Sequence, residues 1–265
     1  MSDQTSVLVC GLDPTSSAAA RMLLLSGYTV ALHQAYPPPV LRRKSAYADA
    51  WFDKSTTLEG VEARRVKSGA EFLRGLRERM FLPLLTQSFD EIVKRWPWDV
   101  IVDSAGSGIG EEINLDARLS IGLGEGRIAG QDCDLVIDTG GADPGAILRQ
   151  GAVPSRRSSR EGLVLAPISG VFATDRSIGE PVSPGDVLGR VGGQYVRAID
   201  AGRLIGLRRG GSVLVEGEGA AEVIANPAFS VEGIAKTDKL VARALVFAIE
   251  MELNGWTPVS LDRFL

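Results

Sequence analysis

The opening of the chain restricts the fold more than any other stretch. Ser6 to Leu12 is an unbroken apolar run closed by a glycine and leucine, and it reads as a buried strand. Asp13-Pro14-Thr15-Ser16 is a turn that also reads as a helix start. Ala18 to Ser26 reads as a helix stopped by Gly27, and Tyr28 to Leu32 as a second strand. A strand, a helix and a strand within about 30 residues form a β-α-β unit, which needs a parallel sheet. The expected fold class is therefore α/β, with a Rossmann-like N-terminal domain. The dinucleotide fingerprint GxGxxG is absent, because Gly11 stands alone in this turn. The helix start can still hold an anion, with Gly11 and Asp13 beside it. His33, the one histidine, follows the second strand and is expected at the surface.

After the stiff Pro37-Pro38-Pro39 connector, Arg42-Arg43-Lys44 is expected to lead a helix through Asp49 to Trp51, either as a solvated face or facing an anionic ligand. A short strand from Gly60 to Val66 and helices at Ala70 to Arg79 and Phe89 to Trp96 follow. Trp98 to Asp103 is a strand ending in a carboxylate, where open α/β sheets place ligands. Two glycine-rich turns then flank the apolar Leu135-Val136-Ile137: Gly122, Gly124 and Gly126 before it, and Thr139, Gly140, Gly141 and Gly145 after it, with Asp143 among them. Leu119 to Gly126 is expected to be the central strand and its turn. Backbone amides in such turns can cradle an anion. The candidate ligand-binding set is Gly11, Asp13, Asp103, Gly122, Gly124, Gly126, Thr139, Gly140 and Asp143.

Pro154 to Gly162 reads as a linker. Beyond it, short β segments separated by glycine turns suggest a small barrel or sandwich. A helix from Thr237 to Asn254, with Ala242, Leu245, Val246 and Ile249 on one face, can dock back on the first domain. The expected organisation is an α/β domain at 1–153, a β-rich module at 163–219, and a C-terminal helix and tail at 220–265.

A net charge of −4, from 29 basic and 33 acidic side chains, argues against a nucleic-acid surface. Two cysteines, Cys10 and Cys133, form no disulfide framework and fit no zinc spacing, so no metal ligands are assigned. Cys10 ends a strand beside a helix start, which can activate a thiol, although a cysteine in an apolar strand is more often inert. Cys133 lies between Asp132 and Asp134, which disfavours a thiolate. There is no signal-peptide pattern at the N-terminus and no membrane-length apolar run, so a cytoplasmic protein is expected.

Two resemblances add to this. Ala166-Pro167 with Gly170-Val171, then Ile178-Gly179, Val182, Gly185-Asp186 and Leu188, resemble the barrel-sandwich hybrid of biotinyl and lipoyl carriers. No lysine occurs between Lys94 and Lys236, so the acceptor residue of a carrier is missing. Over nearly the whole chain, the order of segments resembles the YqeB-type family of selenium-dependent molybdenum hydroxylase accessory proteins. The matching pieces are Val40-Leu41-Arg42-Arg43, Ala46 to Ala50, Leu58 to Val61, Val100 to Asp103, Ile121 to Gly126 with Ala129-Gly130, Val136 to Thr139, Val191-Gly192-Gly193 and Asp238-Lys239. The chain departs from the family pattern at its first turn and after Asp103. It departs again at Gly140 to Asp143, where a basic, histidine-bearing segment is replaced by neutral and acidic residues.

The resemblance implies maturation or cofactor handling for a molybdenum hydroxylase. It implies a phosphate-bearing pterin or nucleotide as ligand, and the hydroxylase or its maturation proteins as partners. Two other functions remain open from the residues. One is a non-catalytic scaffold or subunit, with the β module and the WTPVSLDRFL tail as contact surfaces. The other is an enzyme using Asp103, Asp138 or Asp143 as acid–base groups.

Overall fold

The computed structural model describes residues 5–104, 117–140, 143–154, 162–226 and 229–255. Strand β1 (Ser6–Cys10) leads through helix α1 (Pro14–Leu25) to β2 (Thr29–His33). Helix α1 starts four residues earlier than the apolar pattern suggests, because the Asp13 side chain caps it by accepting from the N–H groups of Thr15 and Ser16. The basic triplet does not begin a long helix. Arg43–Ser45 form one 3-10 turn, and α2 (Ala48–Asp53) starts only after Tyr47. A hairpin of β3 (Ser55–Leu58) and β4 (Val61–Arg65) follows, then α3 (Gly69–Glu78), β5 (Leu82–Leu85), α4 (Phe89–Arg95) and β6 (Val100–Ser104). Then come β7 (Leu119–Leu123), β8 (Ile128–Ala129), β9 (Leu135–Ile137), β10 (Ile147–Leu148) and β11 (Gly151–Ala152).

Nine of these strands form one sheet, in the order β10-β9-β7-β6-β1-β2-β5-β4-β3. The run from β9 to β4 is parallel, and an antiparallel strand closes each edge. The central strand is thus β1, not Leu119–Leu123 as expected. Alternation along the strands divides the core. Val7, Val9, Val30, Leu32, Val100 and Val102 face α1 and the C-terminal helix, while Leu8, Ala31 and Ile101 face the side of α3 and α4. Strands buried on both faces read as continuous apolar runs, which is why β1 and β6 stand out in the sequence.

The second half is antiparallel. Strands β12 (Leu163–Leu165), β13 (Gly170–Ala173), β14 (Pro181–Val182) and β15 (Val187–Val191) are followed by β16 (Gln194–Arg197), β17 (Gly202–Leu207), β18 (Val213–Leu214) and β19 (Gly219–Ile224). They form two four-stranded sheets, β12-β19-β17-β14 and β16-β15-β13-β18, over a core that includes Phe172, Leu188, Leu204 and Leu214. Helix α5 (Lys236–Asn254) then returns to the large sheet, where Val241, Leu245 and Ile249 join the core with α1. Most of the linker, the loop after Ser104, Gly141 and the WTPVSLDRFL tail lie outside the described residues.

The arm from Leu41 to Asp53 joins the two halves. Leu207 N donates to Leu41 O at 2.9 Å, and Arg43 Nε donates to Leu207 O at 2.9 Å. Arg42 forms a two-pronged pair with Glu222, and Arg209 another with Asp53. Lys44 pairs with Glu232. Each cation of the triplet meets a carboxylate of its own chain.

Candidate functional site

In the large sheet, the chain adds β2 on one side of β1 and later β6 on the other. The crevice beyond the carboxyl ends of these strands is a topological switch point, the usual ligand position in an open α/β sheet. Two clefts open there. One, of about 500 Å³, is lined by Asp13, Thr15, Ser104, Gly124, Glu125, Asp138, Thr139 and Gly140 among others. The other, of about 340 Å³, lies between Gly11, Asp13 and Gln34 on one side and the Pro38–Arg42 arm and Glu222 on the other. Asp13 borders both.

Of the expected ligand residues, the larger cleft gathers Asp13, Gly124, Thr139 and Gly140. Gly11 lies in the smaller one. Asp103 is buried, with Gly122 beside it in the paired strand β7. Gly126 forms a turn at φ +97° with open space where a side chain would stand. Asp143 is exposed in a turn and borders neither cleft.

Three of the amide donors expected to cradle a phosphate are engaged within the chain. Gly11 N donates to His33 O, and Gly124 N to Ile137 O, at 2.9 and 2.8 Å. Gly140 N donates to Asp138 Oδ1 at 2.9 Å. At the α1 N-terminus, Asp13 Oδ1 accepts from Thr15 N and Ser16 N at 2.9 and 3.0 Å. Asp13 Oδ2 accepts from the hydroxyls of Ser16 and Ser104, each at 2.6 Å. A carboxylate of the protein thus occupies the place where a helix end would receive an anion.

The glycines themselves serve side-chain packing. A methyl on Gly11 would overlap Ser104 Oγ. One on Gly122 would lie 2.6 Å from Arg127 Cβ, and one on Gly124 would lie 2.5 Å from Thr139 Oγ1.

Arg127 lies outside the candidate ligand-binding set. It is buried directly after the turn from Gly122 to Gly126 and binds Asp103, with Nε and Nη2 at 2.7 and 2.6 Å from Oδ2. The cation that meets Asp103 comes from the connection between β7 and β8. A glycine inside an apolar strand, at Gly122, was the available signal of a close approach.

Acidic groups dominate the rest. Thr15 Oγ1 donates to Asp238 Oδ1 of α5 at 2.6 Å. Burial, and then the nearby Asp13 charge, raise the Asp238 carboxyl above its ordinary range. No lysine or arginine lines the larger cleft among the described residues.

His33 is buried, contrary to expectation. Strand β2 runs one residue further and pairs His33 with Cys10. Its Nε2 lies 2.9 Å from Gln87 O, and burial lowers its pKa, which favours the neutral ring. Both cysteines are buried and unlinked. Burial pushes the Cys10 thiol well up, and it pushes the Cys133 thiol to about 11 with a smaller push from Asp132. Neither is a poised nucleophile. The described residues contain no cluster of metal-binding side chains. No helix among them is long and apolar enough to cross a membrane.

No family profile matches the chain. Among solved structures, an ectoine utilization protein, EutE, from Ruegeria pomeroyi aligns over 84% of this chain and 86% of its own, at 12% identity and a TM-score of 0.26. An aspartoacylase family protein from Mesorhizobium loti aligns over 86% and 87%, at 12% identity and a TM-score of 0.27. Likeness at that level carries no inference of fold or activity. Among curated proteins, the chain is 29% identical over 222 residues to the uncharacterized protein YqeB of Escherichia coli K12; the match takes in 80% of this chain but only 41% of that relative, so the chain spans about two fifths of the length of the protein it resembles.

Proposed function

We propose that this chain is an accessory protein that binds a pterin-type or nucleotide-bearing cofactor for a molybdenum hydroxylase in the cytoplasm, with the hydroxylase or its maturation proteins as partners. The observation that carries the binding role is the cleft of about 500 Å³ at the switch point, where Glu125, Asp138 and Thr139 converge. A pterin or guanine ring offers adjacent N–H and NH2 donors, and carboxylates are acceptors. The strand order around β1 supports a Rossmann-like reading of the first half. The two facing four-stranded sheets support a barrel-sandwich reading of the second. The phosphate of such a ligand extends away from α1, whose first turn is already capped by Asp13. The molybdenum pathway rests on the resemblance to the YqeB-type family alone.

Titration calorimetry with 6-hydroxymethylpterin, GMP and inorganic phosphate tests this. Binding of pterin or GMP, no heat with phosphate alone, and a loss of about tenfold in Asp138→Asn are expected. Heat from phosphate alone, or none from either ring, overturns it. One observation favours the scaffold instead. Val171 and Val213 are cross-strand partners on the exposed edge of a β sheet, and Val215 is exposed beside them. For the acid–base reading, Asp103 is tied to Arg127 and Asp143 stands outside both clefts, which leaves Asp138 in the larger one.

A further inference from the structure

A third cavity, of about 400 Å³, lies apart from the switch-point clefts, between α3 and α4. That volume suits a small organic molecule. Its walls are apolar and aromatic: Phe72, Leu73, Ile92, Trp96 and Trp98. Phe72 stands edge-on to Trp96, with centroids 5.4 Å apart at 90°, and to Trp98 at 6.3 Å and 70°. The rings leave a flat-sided slot rather than a stacked plug.

Two further features point to the chemistry of an occupant. The indole N–H groups of Trp96 and Trp98 are buried and meet no acceptor among the described residues, although Trp98 is only 5% exposed. A buried donor without a partner is costly, so these two indoles sit at a site of local strain in the packing. The mouth also carries charge of both signs, with the Lys67 ammonium in no ion pair among the described residues. Lys67 and Arg95 border it with the first turn of α3, at Ser68 and Gly69. The acid of that turn, Glu71, is folded back onto the backbone N–H of Lys67 at 3.1 Å. The other acid, Glu91, lies 3.5 Å from Arg95 as an exposed pair.

We propose that this groove binds a flat, mainly apolar carboxylate, with its ring between Phe72, Trp96 and Trp98 and its carboxylate toward Lys67 and the start of α3. Both indoles form walls of the groove, so an inserted ring alters the surroundings of their N–H groups. The site shares no lining residue with the switch-point clefts, so it stands or falls independently of the cofactor reading.

The test is protein NMR of the indole N–H resonances, with 2-naphthoate and its neutral analogue 2-naphthylmethanol as probes. Trp51, whose indole donates to Gln34 O at 3.2 Å, is the internal control. Naphthoate is expected to shift the Trp96 and Trp98 signals and leave Trp51 unmoved. Lys67→Ala is expected to weaken naphthoate about threefold while leaving the alcohol unchanged. Leu73→Phe, which fills the slot, is expected to abolish the shifts. Absence of shifts at millimolar probe, equal movement of Trp51, equal affinity of acid and alcohol, or shifts that survive Leu73→Phe each overturn the proposal. Should Leu73→Phe disturb the Trp51 signal, the Lys67→Ala comparison decides.

Discussion

Arg127 and Asp103 are locked together beside the turn from Gly122 to Gly126, with Nε and Nη2 both on Oδ2 at 2.7 and 2.6 Å and side chains only 9% and 4% exposed. Their residues are brought together by the parallel pairing of β6 with β7, which sets Asp103 opposite Gly122. Removing one partner strands a charge in the interior. Arg127→Met is expected to cost about 3–5 kcal/mol in urea unfolding, and the double variant Asp103→Leu/Arg127→Met to recover most of it. Equal losses in the single and double variants would show that the pair matters only for packing.

Gly11 carries two separate constraints. Its φ is +116°, and a methyl there would strike Ser104 Oγ, which donates to Asp13. Gly11→Ala is expected to lose about 2–4 kcal/mol, the sum of backbone strain and overlap. Adding Ser104→Gly relieves the overlap and leaves the strain, so the double variant should be the more stable of the two by thermal melting. The reverse ranking would place the worth of Ser104 in its bond to Asp13.

His33 gives the chain a titration with one owner, since it is the only histidine. Burial lowers its pKa from the ordinary 6.5. Between the folded and unfolded values the unfolded chain binds the extra proton. Stability therefore rises with pH there, and falls as pH drops below 6.5. His33→Gln should flatten that fall by up to one proton, about 1.4 kcal/mol per pH unit. Urea midpoints of both proteins at several pH values check it, and parallel curves would refute it.

The arm between the halves has a weak and a strong contact. Arg209 holds the Asp53 carboxyl below its usual range, but Asp53 is 49% exposed, so Arg209→Ala should cost at most about 1 kcal/mol. Arg43 is nearly buried and joins both Asp49 oxygens to Leu207 O. Arg43→Ala should cost about 2–3 kcal/mol and speed hydrogen exchange in β17. Equal effects of the two variants would mean that exposure does not govern these bridges.

Elements that are buried on both sides or capped by local chemistry were legible. The β1–α1–β2 unit, β9 and α5 follow from apolar runs and punctuation. Strand β5 was missed because Pro83 reads as a breaker, yet it sits in a fully buried run between β2 and β4. The extension of β2 to His33 is set by its partner strand, which the local pattern does not contain. At the site, the helix start at Asp13 was readable. Its use as an internal plug was not, because that depends on Ser104, which reaches it across 91 positions of sequence. Arg127 is one arginine in a glycine turn, and only the sheet register gives it a partner.

Helix α1 is sheltered by α5, with Leu23 packed in one cluster with Val241, Leu245 and Ile249, and Thr15 bonded to Asp238. Every other described element except β1 lies between them in the chain. During synthesis the apolar side of α1 therefore waits, uncovered, until α5 emerges. The ribosome thus delivers the large sheet long before its roof. Chains halted before Lys236 should be the ones that recruit chaperones and aggregate, with their β module already folded.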